Sequence, residues 1–588
     1  MRSSLLLTMA LASVLQCGLS HSFEPATFDP RAALADQGLQ FDRIPTHALR
    51  LSAADAALGD FNFCAAACSV LAFLYGDSVA EPGSANYSSC QSGYWSVQQA
   101  DVHPDCIFRP QDTRDVSRAI LFSRLFRCPF AVKSGGHSAF AGSSNIQGGI
   151  TLDLRELNQV QLSDDKSIVS VGTGNKWVDV YEALEPHDLA VIGGRVSAIG
   201  VGGLTLGGGI SFFSGLYGWA CDNVVNYEVF VTKVLASAAS CHPKAARLTR
   251  ASSLLIAADV HHATVLAEDC YDPGCSRLVT GSGVVLQVNE TSYPDLYWSL
   301  RGGGNNFGVV TRFDLSTFPQ GLMWGGGQLH KISQRSAIIE AFAQFGAHGE
   351  EDPKAGLILS FAWAGGDYFA KLDMQYADPI SSPPVFENFT SIPDPLSNTT
   401  MIRTLSNLTV EFNESNPSGL RETYWASAYK LDRDLINAVL DIYMDEIDTL
   451  VNVSGIVPAC TLQVITSPQL SHMSKRGGNA LGLSEADGPL LLMNLNNMWN
   501  NAADDYAVMR ASSNIVERVN ARAAAMGVDH RYVYQNYASQ YQDVIASYGP
   551  ENQLKLMAVA AYYDPTGVFQ TLQPGYFKLD GAPARSCL

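Results

Sequence analysis

Short apolar runs alternate with amphipathic stretches along the chain from Cys106 onward. Four short runs that contain β-branched and aromatic residues predict strands, at residues 106–110, where a proline ends the run, and at 130–132, 149–154 and 168–172. Between the first two runs, residues 112–127 open with an aspartate and place apolar side chains at helical spacing, which predicts a helix. Strands and helices mixed in this way indicate an α+β fold.

The N-terminus has the pattern of an export signal. Arg2 precedes an apolar run at residues 5–15, and the small residues Gly18 and Ser20 follow it. The run is too short to cross a bilayer, and a buried N-terminal helix is the alternative interpretation. We predict a signal peptide at residues 1–20 and a secreted or secretory-pathway protein. We expect no membrane association after its removal, because no later apolar run reaches about 18 residues.

Sequons and cysteines fit a secretory environment. Asn-x-Ser/Thr sequons, the acceptors of N-glycans, occur at Asn86, Asn289, Asn388, Asn398, Asn407, Asn413 and Asn452. The N-terminal quarter also holds a cluster of cysteines: Cys64, Cys68, Cys90, Cys106 and Cys128. Cys64 and Cys68 have a spacing that would suit a metal, but no matching pair of ligands lies nearby. We therefore predict disulfides or buried thiols, and no metal site.

Composition and charge narrow the functional classes. Of 588 residues, 47% are hydrophobic and 16% are charged, as in ordinary globular proteins of a few domains. The formal net charge is −19, and there is no basic stripe to neutralise phosphates. The charge of the chain therefore argues against a nucleic-acid-binding function.

Two glycine-rich segments mark a candidate binding site. Residues 193–209 and 301–308 interleave glycines with apolar residues, unlike the polar composition of flexible linkers. Ordering so many glycines opposes folding, so we expect their backbone to approach a flat or phosphorylated ligand closely. Neither segment has the spacing of a dinucleotide-binding or nucleotide-hydrolase loop.

Several motifs, in order along the chain, resemble one flavoprotein family. They are Lys133-Ser-Gly-Gly-His137-Ser138, Gly172-Thr-Gly174, Gly200 to Gly209, Gly218 to Asn223, Trp298 to Gly308, Tyr534-Gln-Asn536-Tyr537 and Pro574 to Lys578. The N-terminal motifs resemble the PCMH-type FAD-binding domain that is shared with vanillyl-alcohol oxidase and p-cresol methylhydroxylase. The C-terminal motifs resemble the closing segment of berberine-bridge-enzyme-like FAD-linked oxidoreductases of the fungal type.

The resemblance implies an FAD domain of two α+β subdomains, interrupted by a substrate domain with an antiparallel sheet and flanking helices. An N-terminal helical, cysteine-containing segment is expected at residues 21–101 and the FAD domain at 102–320. The substrate domain is expected at 321–525, and a closing segment at 526–588 returns to the FAD domain.

The resemblance also implies FAD as the cofactor. In the family the histidine of the Gly-Gly-His segment often bonds to the C8 methyl of the flavin, and His137 occupies that position. We expect this single covalent link, because Val196 stands near the place where relatives carry a second, cysteine link. The alternative is a histidine that only lies beside the flavin. The pyrophosphate is expected on backbone N–H groups of residues 134–138. The predicted cofactor-binding residues are Lys133, Ser134, Gly135, Gly136, His137, Ser138, Gly200, Gly202, Gly203, Gly207, Gly208, Asp222, Asn223 and Asn536.

The motifs leave two residues as candidates for the proton acceptor. Some relatives use a glutamate after a tryptophan on a strand of the substrate domain. Here Trp499 is followed by Asn500, whose amide takes no proton. Tyr534 and Tyr537 are therefore the catalytic candidates, with packing against the flavin as their alternative role.

The expected function is FAD-linked oxidation of a small organic substrate, with hydride transfer to flavin N5 and reoxidation by O2. A secondary-metabolite intermediate is favoured as substrate. The alternatives are a secreted carbohydrate oxidase and a non-catalytic flavin-binding protein of the same fold. Ile199 belongs to the stretch that borders the flavin in relatives, and its branched side chain leaves open a dehydrogenase with another electron acceptor.

The chain departs from the family pattern at residues 232–282. Relatives connect the flanking strands by a short turn, whereas this segment adds about fifty residues with three cysteines and three histidines: Cys241, Cys270, Cys275, His242, His261 and His262. Their spacing does not match a zinc site. The segment is either a surface insertion or a translated intron.

Overall fold

Three β-sheets organise the computed structural model, which describes residues 28–41, 44, 63–231 and 284–584. Helices flank the sheets, and the combination confirms the predicted α+β class. Within these ranges no helix is both long and apolar enough to cross a bilayer.

The first sheet has four short strands in the order β1-β2-β4-β3. They are β1 Val79–Ala80, β2 Cys106–Phe108, β3 Phe130–Lys133 and β4 Ile150–Asp153. The strands β2, β3 and β4 are parallel, and covered parallel strands carry continuous apolar runs of the kind seen here. The helix Thr113–Phe126 follows β2 near its predicted bounds, and the Asp112 carboxylate caps it by accepting from the N–H of Asp115.

Two disulfides connect the helix Phe63–Tyr75 to the first sheet, one at strand β2 and the other just before strand β3. Cys64 pairs with Cys128, and Cys68 pairs with Cys106. The expected disulfides are therefore present, and they constrain the unfolded chain in a region of short strands. The described cysteines that remain free are buried: Cys90, Cys221 and Cys460.

The second sheet has six antiparallel strands in the order β5-β6-β10-β8-β9, with β7 beside β10. They are β5 Val160–Leu162, β6 Ile168–Gly172, β7 Leu189–Val191, β8 Val224–Val231, β9 Val284–Val288 and β10 Val309–Pro319. Val231 lies opposite Val284 in the pairing of β8 with β9. The atypical segment 232–282 lies outside the described residues, but the two residues that flank the gap are direct neighbours in the sheet.

The third sheet has nine antiparallel strands in the order β14-β11-β13-β12-β17-β18-β16-β19, with β15 beside β11. They are β11 Met323–Lys331, β12 Ala355–Ala364, β13 Asp367–Tyr376, β14 Ser397–Asn398, β15 Met401–Arg403, β16 Arg421–Lys430, β17 Val457–Ile465, β18 Leu490–Trp499 and β19 Asp529–His530. One face packs against the helices Arg335–Ala347, Arg433–Ile447 and Asp505–Met526. The last strand, β19, lies beyond residue 525, the predicted end of the substrate domain.

After the third sheet the chain returns to the glycine-rich segments, and the contacts there are close. The backbone N–H of Ile210 donates to the Tyr534 hydroxyl at 3.0 Å. A side chain at Gly575 would overlap the backbone of Gly142. The other helices are Pro30–Asp36, Ala85–Ser92, Val97–Ala100, Trp177–Leu184, Val201–Leu206, Ser214–Tyr217, Pro294–Leu300, Glu387–Thr390, Leu405–Glu414, Ser467–Ser471, Val544–Ser547, Pro550–Tyr563 and Val568–Thr571.

Candidate functional site

A cavity of about 590 Å³ lies between the glycine-rich segments and the open face of the third sheet. Its volume falls in the range of cofactor and small-molecule sites. Residues 134–138 and 199–204 line one side, apart from Val201, which is buried behind them. Alternate residues of β12, β13, β17 and β18 line the other side.

Two glycines explain why the cavity wall is built from glycine-rich backbone. A β-carbon at Gly135 would overlap the backbone nitrogen of Gly200, and one at Gly200 would overlap that of Gly135. The two segments therefore lie side by side only because both positions lack a side chain. At Gly203 a β-carbon would meet nothing within 4 Å, since this residue borders open space. A ligand can therefore come close to the backbone at this position, as the glycine-rich pattern predicts.

His137 combines burial with an unused nitrogen. Its Nε2 is buried and has no hydrogen-bond partner among the described residues. Burial lowers the pKa of His137 to about 4, so the imidazole is neutral and nucleophilic near pH 7. An unpaired, neutral imidazole in a cavity wall fits a residue that bonds to a cofactor.

The structure brings most of the predicted site residues together. Those that line the cavity are Ser134, Gly135, Gly136, His137, Ser138, Gly200, Gly202, Gly203, Tyr534, Asn536 and Tyr537. Those that do not line it are Lys133, Gly207, Gly208, Asp222 and Asn223. Any role of this second group toward the cofactor is indirect in the present arrangement.

The second group has structural partners of its own. The Lys133 ammonium donates to the Cys90 carbonyl at 3.1 Å. Gly207 makes room for the Asn536 side chain, and Gly208 for the Trp219 ring. These contacts hold the cavity wall in place from behind.

Asp222 and Arg301 form a fully buried ion pair, with Nη2 and Oδ1 3.1 Å apart. The Asp222 carboxylate also accepts from the Trp219 N–H at 3.0 Å and from the Asn479 amide at 2.8 Å. Arg301 donates further to the carbonyl of Cys221 at 2.9 Å. The sequence motifs predict Asp222 as a cofactor-binding residue. In the structure its contacts are instead with buried core residues behind the glycine-rich segments.

The two candidate tyrosines differ in their surroundings. The Tyr537 hydroxyl oxygen accepts from the Arg195 guanidinium at 2.6 Å and from the Gln463 amide at 3.4 Å. The Tyr534 hydroxyl oxygen accepts from Ile210 N–H and from the Asn536 amide, each at 3.0 Å, and burial raises the pKa of Tyr534. The Tyr537 hydroxyl therefore lies against a cation, whereas the hydrogen bonds to the Tyr534 hydroxyl come from neutral groups.

Polar side chains form a stripe across the sheet face of the cavity, and sequence reasoning missed them. The hydroxyls of Ser360 and Thr461 lie 2.9 Å apart, and Thr461 donates to the Asn496 carbonyl oxygen at 3.0 Å. Asn494 is 5% exposed, and its Oδ1 has no partner among the described residues. The clue was available, because polar residues alternate with apolar ones near the middle of β18.

A charged pair lies at the same wall. The Lys371 ammonium is 3.0 Å from the Asp373 carboxylate and donates to the Ser415 hydroxyl at 2.9 Å. Burial raises the pKa of Asp373. Both charged residues line the cavity, so they are accessible to a bound ligand.

Asn500 has a different position from the one that the motif comparison assigned. It follows the end of β18, is exposed, and donates its backbone N–H to the Ser454 carbonyl at 3.1 Å. It does not line the cavity. An asparagine there therefore says nothing about whether the site can accept a proton.

Comparisons with known proteins agree with this geometry. The sequence profile of the family described as FAD binding domain matches residues 104–233. The FAD-dependent monooxygenase tpcD of Cochliobolus heterostrophus is 34% identical over 561 residues, which cover 90% of this chain and 97% of that protein.

Solved structures show the same fold at low sequence identity. The 6-hydroxy-D-nicotine oxidase of Arthrobacter nicotinovorans superposes with a TM-score of 0.64 at 17% identity, covering 85% of this chain and 97% of that one. The BBE-like 1 protein of Physcomitrella patens gives 0.61 at 17% identity, covering 89% and 100%.

The fold is that of these flavin-dependent proteins, and the sequence matches make the chain an FAD-dependent oxidoreductase. The chain belongs to the family of fungal FAD-dependent monooxygenases that includes tpcD.

Proposed function

We propose that the protein oxidises a small hydroxylated organic substrate, with Tyr537 as the proton acceptor. The observation that carries this proposal is the hydroxyl of Tyr537, which lines the cavity and accepts hydrogen bonds from Arg195 and Gln463. The two hydrogen bonds fix the position of this oxygen at the cavity wall, and both donors favour negative charge on it.

The cavity wall that includes His137 supplies the proposed FAD site. FAD bound there would supply a hydride acceptor, its N5 atom, and a carrier of electrons to dioxygen. Residues 134–138 offer backbone N–H groups to its phosphates, and His137 offers an imidazole nitrogen without a partner among the described residues for a single covalent link. Val196 lines the cavity where relatives carry the second link.

The sheet face of the cavity favours a hydroxylated, partly apolar substrate. Its polar stripe contains unpaired carbonyl oxygens on Gln463 and Asn494, which accept hydrogen bonds from hydroxyl groups. Apolar side chains flank the stripe: Leu329, Ile358, Phe369, Val457 and Met498. A secondary-metabolite intermediate with a flat ring and hydroxyl groups matches this mixture better than an oligosaccharide, because a sugar chain presents polar groups on every edge.

The relatives' name favours a second candidate reaction. They are named FAD-dependent monooxygenases, and a monooxygenase inserts one oxygen atom from O2 into its substrate. An oxidase returns both atoms of O2 as hydrogen peroxide, whereas a monooxygenase leaves one in the product and one in water. Isotopically labelled 18O2 separates these reactions, because only the second raises the product mass.

Export and glycosylation belong to the same proposal. The sequons at Asn86, Asn388, Asn398, Asn407 and Asn452 are exposed, whereas Asn289 and Asn413 are partly buried. The segment 1–20 lies outside the described residues. Enzymatic removal of N-glycans from protein made in a secreting fungal host would lower its mass if the exposed sites are used.

The decisive experiment is anaerobic mixing of the purified protein with hydroxylated aromatic compounds and, separately, with oligosaccharides. Bleaching of the flavin absorption by the aromatic compounds supports the proposal, and bleaching only by oligosaccharides favours a carbohydrate oxidase. A protein that no compound bleaches, and that reoxidises slowly in air after photoreduction, is a flavin-binding protein without this activity.

A further inference from the structure

A tryptophan from the N-terminal segment covers the imidazole of the flavin-attachment histidine. The rings of Trp95 and His137 are stacked, with centroids 4.2 Å apart and planes inclined by 10°. Trp95 is only 5% exposed, and no sequence motif marked it. We propose that Trp95 is a positioning residue, which holds the His137 imidazole in the orientation that covalent attachment of FAD requires. This inference rests on the proposed covalent link.

Backbone hydrogen bonds lock the tryptophan to the attachment loop. The Trp95 N–H donates to the Gly136 carbonyl at 3.1 Å, immediately before the histidine. The hydroxyl of Ser96 donates to the Ser138 carbonyl at 2.8 Å, immediately after it. The loop that carries the imidazole is therefore bonded to the Trp95 backbone before the histidine and to the Ser96 hydroxyl after it.

A second set of bonds fixes the same tryptophan to the segment that leads into β16. Its indole N–H donates to the Asn416 carbonyl at 3.2 Å, and its own carbonyl accepts from Gly419 N–H at 2.8 Å. Val97 N–H donates to the Leu420 carbonyl, also at 2.8 Å. The backbone bonds fix the position of the residue, and the indole bond must break before the ring can turn away from the histidine.

The chemistry explains why ring orientation matters. Attachment forms a bond between an imidazole nitrogen and the flavin C8 methyl carbon. The imidazole and the methyl group each lose one hydrogen, and dioxygen takes both protons and two electrons to give hydrogen peroxide. The nitrogen lone pair lies in the ring plane, so a stacked partner leaves it free while it restricts rotation of the ring. Restricting rotation raises the fraction of time spent in a reactive geometry.

The test is the ratio of covalent to total bound flavin in the intact protein. Acid precipitation separates the two forms, and mass spectrometry of the peptide containing His137 locates the adduct. Trp95→Phe keeps a stacking ring and should stay within about twofold of wild type, whereas Trp95→Met should lower the ratio about tenfold. Trp363→Met is the matched control, because this residue packs on the opposite face of the third sheet.

The outcomes separate this role from the covalent link itself. A wild-type adduct that persists undiminished in Trp95→Met overturns the role of Trp95 and leaves the proposed function intact. A wild-type protein without an adduct overturns the covalent link, and the role of Trp95 with it. An equal loss in the Phe and Met variants also overturns the role, since stacking would then not be the cause. If the Met variant does not fold, Trp95→Leu, which also lacks a ring, replaces it, and an unchanged ratio there counts against the proposal.

Discussion

The Arg195 guanidinium lies 2.6 Å from the hydroxyl oxygen of Tyr537, although 342 residues separate them in the chain. Both side chains line the cavity, and Arg195 directly precedes Val196, which stands near the place where relatives carry a cysteine link to the flavin. In this protein the segment contributes a cation beside the proposed base.

Removing either member of this pair should slow proton removal from the substrate. We expect Tyr537→Phe to reduce kcat about 10²–10⁴-fold while flavin binding is retained, because a general base is lost. Arg195→Met should reduce kcat about 10²-fold, because one donor to the developing charge is lost. Flavin bleaching followed by stopped flow measures both effects. Tyr534→Phe is the control, and a larger defect in that variant would assign the base to Tyr534.

Oxygen access should depend on Ile199, which lines the cavity. Ile199→Val removes one methylene and should raise the rate of flavin reoxidation by O2 about tenfold, which corresponds to ~1.4 kcal/mol of barrier. The rate of flavin reduction by substrate should not change. Ile358→Val makes the same chemical change on the sheet side of the cavity and should leave reoxidation unaltered. Equal reoxidation rates in all three proteins would show that this side chain does not limit oxygen.

The buried ion pair between Asp222 and Arg301 should contribute to stability rather than to cofactor contact. Asp222→Asn leaves the guanidinium without its charge partner and should lower the free energy of unfolding by about 3–5 kcal/mol. Urea unfolding of the flavin-bound protein measures this loss. A variant with unchanged stability that loses FAD would instead support direct binding of the cofactor by Asp222.

A buried acid makes the stability depend on pH. Glu422 is 1% exposed, its Oε1 has no partner among the described residues, and burial raises its pKa from 4.5 to about 9. Between these two pH values the folded state keeps a proton that the unfolded state has lost, so rising pH lowers the free energy of unfolding.

The variant Glu422→Gln removes this dependence. At pH 8 it should be more stable than wild type by about 1–3 kcal/mol, whereas at pH 4 the two proteins should be closely similar. Denaturant titrations at the two pH values provide the comparison. A variant that is less stable at both would indicate that the acid is needed for packing in its protonated form.

The segment between β8 and β9 should be dispensable for folding. Val231 and Val284 are paired, so a two-residue Asn-Gly turn can join them in place of residues 232–283. We expect the shortened protein to retain its melting temperature and flavin content. A deletion that also removes Val231 and Val284 is the control and should be less stable. Loss of folding in the first deletion would show that the segment is a required part of the protein.

Local pattern determined much of this protein from the sequence alone. The helix predicted at residues 112–127 forms at Thr113–Phe126, because apolar side chains at helical spacing bury one face wherever the helix packs. The need for glycine at Gly135 and Gly200 also depends on the residue type at each position, because a β-carbon at either one would overlap the backbone of the other. Motif resemblance added the FAD family, which the comparisons support.

Tertiary structure alone decided which side chains meet. The contacts of Arg195 with Tyr537 and of Trp95 with His137 join distant parts of the chain, and no periodicity encodes such pairs. The register of the third sheet decides that Asn494 faces the cavity while Asn500 lies beyond the strand end. Periodicity reports only whether a side chain is buried. Its partner depends on how sheets and returning segments pack, and that follows from the energy of the whole fold.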